Sequence, residues 1–316
     1  MTHLDALHKS AYHAYANTAD AAHVPDSEPH DEVALDVPPR GHDALARLCS
    51  NRLAAIGVVV IVLVTFISVA APWLAPYDPN LGDPTLRLAG IGTPGHWLGL
   101  DDQGRDLLSR LIWGGRSALA VVVIAVATAC VLSLAIGLYA GFARGRAAAL
   151  VMRLIDILFA FPMILLAINL ATTLGPGFVT VGITVLLSAL PYLTRVVYAG
   201  VRAERDKEYI EAAQALGASS FNIVLREILP NVLTPLVVYG TTLVGGMIVF
   251  VAGLSFLGLG VQPPTADWGR MVSEGTRLML LGGAHVATLP ALAIVVLSLA
   301  FNWLGDGLRD ALDPRD

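Results

Sequence analysis

Long stretches without charged residues alternate with short polar segments along this chain. The uncharged stretches cover residues 53–77, 117–143, 157–194, 228–266 and 278–305. Each is long enough for the roughly 20 apolar residues with which an α-helix crosses a bilayer. The third stretch is too long for one helix, and Gly175-Pro176-Gly177 divides it. The pattern therefore predicts an all-α membrane protein with six transmembrane helices.

The six spans are predicted within one transmembrane domain over residues 47–316. Their positions are near 53–71, 118–140, 150–174, 178–198, 236–257 and 287–305. They leave a long loop at 72–117 and a polar loop at 200–231. With the N-terminus inside, the cytoplasmic segments hold 13 Lys and Arg residues and the outer segments hold 6. This asymmetry predicts cytoplasmic N- and C-termini and a cytoplasmic 200–231 loop.

Composition supports a membrane protein, since 55% of the residues are apolar and only 14% are charged. A soluble domain carries roughly 25% charged residues. The mean hydropathy is +0.67. In a polytopic membrane protein the net charge of −5 says little about partners, and nucleic acid is not expected as one. The two cysteines are too few for a disulfide framework or a metal knuckle.

Residues 1–46 differ from the rest, because they are polar and contain six of the eight histidines. Without paired histidines at helical spacing, they predict a disordered cytoplasmic tail. Metal capture or pH sensing by the histidines is the alternative.

The loop between the fourth and fifth spans has the most informative pattern. Residues 208–231 predict a short helix, a stop at Gly217, and a second helix that leads back to the membrane. Gly217 suits a left-handed position, and Ser219 or Ser220 can cap the second helix. Ala212, Ala213 and Ala215 have small side chains, which would let another protein approach the backbone of the first helix. An ordinary connecting loop and a DNA-binding helix-turn-helix are the alternatives, and the balanced charge argues against the latter.

Glu211-Ala212-Ala213, Gly217 and Ile228-Leu229-Pro230 together resemble the EAA signature of ATP-binding-cassette (ABC) importer permeases. The resemblance implies a type I ABC importer permease fold, in which this loop forms a coupling helix that docks on a cytoplasmic ATPase. The ATPase-coupling residues it implies are Glu211, Ala212, Ala213, Ala215, Leu216, Gly217 and Ser219.

Two further segments resemble the dipeptide and oligopeptide branch of these permeases. They are residues 96–112, with the outer-loop motif, and residues 254–264, followed by Trp268-Gly269. Some oligopeptide-type members have an acidic residue where this chain has Val251, which favours the dipeptide-like subunit. The resemblance covers about residues 45–314. The residues of the outer-loop motif are Gly104, Arg105, Asp106 and Arg110.

Several residues near the spans have two interpretations. Leu107, Leu108, Leu111 and Ile112 share a helical face, which predicts an interfacial helix or a plain connector. The fifth span contains several glycines, which predict either a passage lined by this helix or close packing alone. Its passage or gate candidates are Gly245, Gly246, Phe250, Gly253, Ser255 and Phe256. Asp156 is expected to pair with Arg153 at the membrane edge, with a proton relay as the alternative.

No energy source is visible in the chain, since it contains no GxxxxGK[ST] phosphate loop and no catalytic or metal-ligand constellation. We therefore predict a non-enzymatic subunit without a cofactor of its own, with ATP and Mg bound by partner ATPases. The resemblance implies a multi-pass protein of the inner membrane that transports short peptides. Its partners would be lipid, a homologous second permease, two ATPase subunits and an extracytoplasmic substrate-binding protein. Nickel or glutathione as cargo, and a self-standing channel or secondary carrier, are the alternatives.

Overall fold

The computed structural model of the protein describes residues 47–312. Within that range α-helices form nearly all regular structure, and three isolated β-bridges lie in the long loop. The helices are α1 (Arg52–Val69), α2 (Ala71–Leu74), α3 (Leu107–Phe142), α4 (Arg146–Ala160), α5 (Met163–Leu174), α6 (Phe178–Arg205), α7 (Glu208–Ala215), α8 (Ser220–Ile223), α9 (Leu229–Phe256), α10 (Trp268–Thr276) and α11 (Ala284–Leu312). The predicted tail over residues 1–46 lies outside the described residues.

Five helical stretches are long and apolar enough to cross a membrane: α1, α3, α6, the continuous run Ser220–Phe256, and α11. Helices α4 and α5 pass the same test only together, and they are bent by 89°. Pro162 causes the break, since it has no N–H to donate and holds Phe161 in an extended conformation. The predicted span at 150–174 is therefore a broken one.

Helix α3 begins earlier than the sequence pattern suggests. It has 36 residues and contains the whole segment expected to lie on the membrane surface. Leu107 and Arg110 are both buried in the first turns. The prediction of an interfacial helix before the span is wrong, because this segment forms the first turns of the same continuous helix as the span. Asp106 caps that helix by accepting a hydrogen bond from the Ser109 N–H at 2.8 Å. The span and its approach are one rigid element.

Helix α9 also extends beyond the predicted span of 236–257. Pro230 lies just after a π-turn, where the helical hydrogen-bond pattern is already interrupted, and Pro235 is accommodated inside the helix. A single π-turn, Val224–Ile228, joins α8 to α9. The fifth span therefore continues without interruption into the polar loop that precedes it.

The long helices pack around two neighbouring cores. Helix α3 lies against α6, where Gly137 and Gly141 face Val197 and Val201; a Cβ on either glycine would lie 2.6–2.7 Å from the valine Cβ. Helix α11 packs between α9 and α1. Asn51, at the start of α1, donates to Asp310, near the end of α11, at 3.2 Å. The two ends of the described chain therefore meet at one end of the bundle.

The two ends of the bundle carry different structures. We call the segment Glu208–Ile228 the hairpin, and its side of the bundle the hairpin end. The opposite end, which we call the loop end, carries the long loop over residues 75–106 together with α10. The long helices run between these two ends. With α4 and α5 counted as one bent span, the chain has six candidate membrane crossings.

Candidate coupling hairpin and transport passage

Gly217 ends the first helix of the hairpin in a left-handed conformation, with φ of +85°. The N–H of Gly217 donates to the Gln214 carbonyl, and the N–H of Ala218 donates to the Ala213 carbonyl, both at 3.0 Å. These two bonds define a Schellman turn, which satisfies carbonyls left free at the end of a helix. Nothing lies within 4 Å of an added Cβ, so backbone conformation alone favours glycine here. The predicted helix stop is confirmed.

Ser219 starts the second helix as predicted. Its Oγ accepts a hydrogen bond from the Asn222 N–H at 3.3 Å, which caps α8. The turn between α7 and α8 is therefore fixed on both sides, by the glycine motif before it and the serine cap after it.

Three buried isoleucines hold the hairpin to the bundle: Ile210, Ile223 and Ile228, each with at most 1% exposure. They join a core with Val201 of α6 and Val232 of α9. Ala213 is half-buried and packs against the same core. It therefore belongs to the hairpin's inner side rather than to its open face.

The outer side of the hairpin exposes apolar residues. Leu216 is 88% exposed and Phe221 is 71% exposed, and Ala212 and Ala215 are exposed beside them. Large apolar side chains held rigidly in water mark a docking surface more often than a free loop. Phe221 was not singled out from the sequence, since exposure depends on which helix face is anchored.

Polar contacts tie the hairpin's base to α6. The Lys207 Nζ donates to Glu204 at 2.7 Å, and the Tyr209 hydroxyl donates to the other oxygen of Glu204 at 2.7 Å. Burial and the neighbouring carboxylate raise the pKa of Tyr209 to about 12. Arg205 and Asp206 pair at 3.1 Å, and hydrogen bonding from Arg205 lowers the pKa of Asp206. The surface is charge-balanced, as the sequence indicates, and unsuited to a phosphate backbone.

At the loop end, the outer-loop motif forms a buried ion network. The Arg105 Nε donates to Asp101 at 2.6 Å and its Nη2 lies 3.2 Å from Glu274 on α10. The Arg110 Nε lies 3.4 Å from Asp101. Asp101, Arg105 and Arg110 are all at most 4% exposed. The network fastens the long loop to α3 and α10, and Glu274 is a member that sequence spacing could not reveal.

Carboxylate oxygens of Asp101, Asp102 and Glu274 lie within 4.8 Å of one another. Such a group could hold a cation, but the guanidinium groups of Arg105 and Arg110 already pair with its carboxylates, Glu274 at 3.2 and 3.6 Å and Asp101 at 2.6 and 3.4 Å. Burial and the adjacent carboxylates raise the pKa of Asp102. The cluster is therefore compensated by arginine and gives no reason to expect a metal.

The remaining members of the outer-loop motif shape the loop itself. Gly104 has φ of +72°, and a Cβ on it would overlap the backbone oxygen of Asp83. Asp106 accepts hydrogen bonds from Ser109 and lies 2.9 Å from the His96 Nδ1. His96 in turn stacks on Tyr77 at 4.5 Å between ring centroids. Each of these contacts is structural, within the described part of the chain.

The passage candidates on α9 divide into two groups. Gly245 is buried, and the Ser298 Oγ donates to its carbonyl at 2.8 Å, so it is a packing contact with α11. Ser255 is also buried. Gly246, Gly253 and Phe256 are exposed, and Phe250 is partly buried. Only the second group faces out of the chain, where a passage or a partner could lie.

Asp156 does not pair with Arg153 as expected. It accepts a hydrogen bond from the Arg195 Nη2 of α6 at 2.7 Å. The expected partner on the same helix is wrong because Arg195 approaches from a neighbouring helix, which spacing within α4 cannot show. The Arg195 guanidinium lies over the Phe159 ring at 4.1 Å.

Comparisons with known proteins agree with this architecture. The family model described as the inner membrane component of binding-protein-dependent transport systems matches residues 133–315, more than half of the chain. The chain belongs to this family. A model of the N-terminal transmembrane domain of oligopeptide transport permease C matches residues 40–90. The resemblance found from the EAA and outer-loop motifs is confirmed.

Two relatives of this permease are similar over most of its length. The di/tripeptide transport system permease protein DppC of Pseudomonas aeruginosa is 40% identical over 84% of this chain and 89% of its own. The glutathione transport system permease protein GsiD of Escherichia coli is 40% identical over 87% of this chain and 90% of its own. The protein is therefore an inner-membrane ABC importer permease subunit of the DppC/OppC type.

A solved structure shows the same fold. It is a chain of the MetNI methionine ABC transporter in inward-facing conformations, with a TM-score of 0.54 and 21% identity. The match covers 66% of this permease and 98% of that chain. The all-α importer-permease fold predicted from the sequence is confirmed. Permeases of this family work with ATPase subunits and a substrate-binding protein.

Proposed function

We propose that this permease imports dipeptides or short oligopeptides, driven by ATP hydrolysis in partner subunits. Identity of 40% to a di/tripeptide permease over 84% of the chain carries the proposal. The assembly would contain one copy of this chain, one homologous second permease, two ATPases and an extracytoplasmic binding protein. The chain itself binds no cofactor, and ATP and Mg belong to the ATPases.

The hairpin gives the proposed mechanical link. Its inner side is anchored in the core by buried isoleucines, and its outer side exposes Ala212, Leu216 and Phe221. A surface with this arrangement can seat in an ATPase groove and pass its movement to the helices behind it. This function requires the hairpin end, and with it both ends of the described chain, to be cytoplasmic, in agreement with the Arg and Lys distribution.

Glutathione is the second candidate cargo, because GsiD has the same 40% identity. Both candidates are short peptides with free charged groups, so the transport cycle would be the same. ATP binding would close the two ATPases, the hairpins would follow, and the passage would open toward the binding protein.

Uptake by a reconstituted complex tests the proposal. The permease, its paired permease and both ATPases in liposomes should import labelled dipeptide only with binding protein and ATP. Parallel assays with labelled glutathione and Ni²⁺ identify the cargo. Uptake by this chain alone, without ATP, would instead identify a channel or secondary carrier.

A further inference from the structure

A charged and aromatic cluster lies on the surface of the chain where α4 meets α6. Asp156 and Arg195 pair at 2.7 Å, Arg195 lies over Phe159 at 4.1 Å, and Phe159 meets the edge of Tyr192 at 4.8 Å between centroids. The Asp156 and Arg195 side chains are 54% and 44% exposed. The pair is therefore formed within the chain but open to whatever covers this face.

Helix lengths place the pair in the hairpin-side part of the membrane-spanning region. Asp156 is ten residues from the first residue of α4, and Arg195 is ten residues from the last residue of α6. At 1.5 Å per residue, each lies about 15 Å from the hairpin end of its helix. Counted from Phe178, the roughly 30 Å of hydrocarbon extends over about 20 residues of α6, so Arg195 lies about two residues, or roughly 3 Å, inside its hairpin-side limit.

Lipid is an unsuitable neighbour for such a pair, because charged side chains inside a bilayer face a water-filled cavity or a protein partner. Helix α1 exposes mainly apolar side chains, as expected of a surface that faces lipid, among them Val59, Val62 and Phe66. The exposed stripe of α6 instead contains Tyr192, Arg195 and Arg202. The first turn of α6 exposes the apolar Phe178 and Val179, so the polar stripe belongs to the half of the helix nearer the hairpin end. A polar stripe on a spanning helix is suited to line an aqueous passage.

We propose that Asp156 and Arg195 lie on the wall of the transport passage and bind the charged ends of the peptide cargo. Arg195 would take the carboxylate and Asp156 the ammonium group, with Phe159 and Tyr192 beside them as an apolar surface. A half-exposed ion pair contributes little to stability, so a zwitterion can replace its internal contact with two new ones. This inference rests on the proposed function.

Thiol accessibility tests the location first. Asp156→Cys and Arg195→Cys, in a background without Cys49 and Cys130, would be placed in the reconstituted complex with its hairpin end open to a charged thiol reagent. Labelling should be fast in the resting complex and should fall at least about tenfold when ATP and vanadate close that side. Val59→Cys is the lipid-facing control. Labelling that is as slow as at Val59, or independent of the trapped state, would overturn the inference.

Uptake tests the contact with cargo. Asp156→Asn and Arg195→Gln should each lower dipeptide uptake about tenfold, which corresponds to one lost charge-assisted hydrogen bond. ATP hydrolysis stimulated by the binding protein should stay close to wild type, because the hairpin is intact. Arg153→Gln is the matched control, since Arg153 is exposed on α4 and makes no ion pair within residues 47–312.

The double variant separates a cargo contact from a structural pair. If the pair only stabilises the fold, removing both charges should restore uptake toward wild type, since no unpaired charge remains. If it binds cargo, the double variant should be at least as impaired as either single variant. Restored uptake, or a parallel loss of stimulated ATP hydrolysis, contradicts the proposal. Wild-type complex that imports Ni²⁺ but no peptide would refute the proposed cargo while leaving the labelling result valid.

Discussion

Replacing Gly217 with valine tests whether the turn of the hairpin transmits force. The residue has φ of +85°, a conformation that costs an L-residue roughly 1–2 kcal/mol. The open space around it excludes a steric clash as a further cost. If the backbone relaxes instead, the turn loses two hydrogen bonds of 3.0 Å, worth about 0.5–1.5 kcal/mol each.

Strain in the retained turn and loss of its hydrogen bonds cost a similar amount, so the turn conformation that docks should be destabilised by about 1–2 kcal/mol. That is a roughly 5–30-fold loss of population. We expect ATPase subunits to bind the variant permease in nanodiscs correspondingly more weakly, and stimulated ATP hydrolysis and uptake to fall together. Insertion and abundance should persist, because the hairpin lies outside the membrane spans.

Gly217→Asn is the matched control, since asparagine tolerates a left-handed conformation better than a β-branched residue does. Its complex should retain most of the wild-type affinity for the ATPases. Equal affinities for the valine variant, the asparagine variant and the wild type would refute the reasoning and leave the hairpin a simple connector.

Three other outcomes are expected. Ala212→Trp on the exposed face of α7 should block docking and abolish stimulated ATP hydrolysis, and full stimulation would show that this face stays free in the complex. In a cysteine-free background, an impermeant thiol reagent on intact cells should label Leu280→Cys and spare Ser220→Cys, whereas the reverse pattern would invert the topology. Gly104→Ala should lower the Tm of the purified permease by several degrees, because it adds about 1–2 kcal/mol of backbone strain and its Cβ overlaps the Asp83 backbone oxygen. Gly92→Ala is the control: it has the same backbone strain but open space around its Cβ, so it should lower the Tm less.

The sequence was sufficient wherever the information is local. Charge-free runs predict the spans because a bilayer excludes charge. The glycine stop and the Ser219 cap follow from backbone preferences at single residues. The uncharged run 117–143 predicts a shorter helix than the 36 residues observed, because Arg110, which lies before that run, is buried in the ion network of the long loop.

Ion-pair partners that are distant in the chain cannot be predicted from local sequence patterns. Asp156 pairs with a residue 39 positions later, and Arg105 with one 169 positions later. Spacing along the sequence predicts Arg153 as the partner of Asp156, because only distances within α4 can be read from it. The inner position of Ala213 was missed for the same reason, since the face that a short helix buries is set by the helices beneath it.

The architecture places the two proposed sites on one helix. The hairpin's buried isoleucines pack against Val201 of α6, and Arg195 lies six residues, or about 9 Å, further along the same helix. Helix α6 is also in close contact with α3, at glycines where a Cβ would not fit. We expect a movement of the hairpin to displace α6 together with α3 and to carry Arg195 with it. Because Asp156 belongs to α4, a separate helix that contacts both α6 and α3 and ends at the break before Pro162, the same movement can change the separation of the pair. Coupling to ATP and release of the cargo would then be two consequences of one helix displacement.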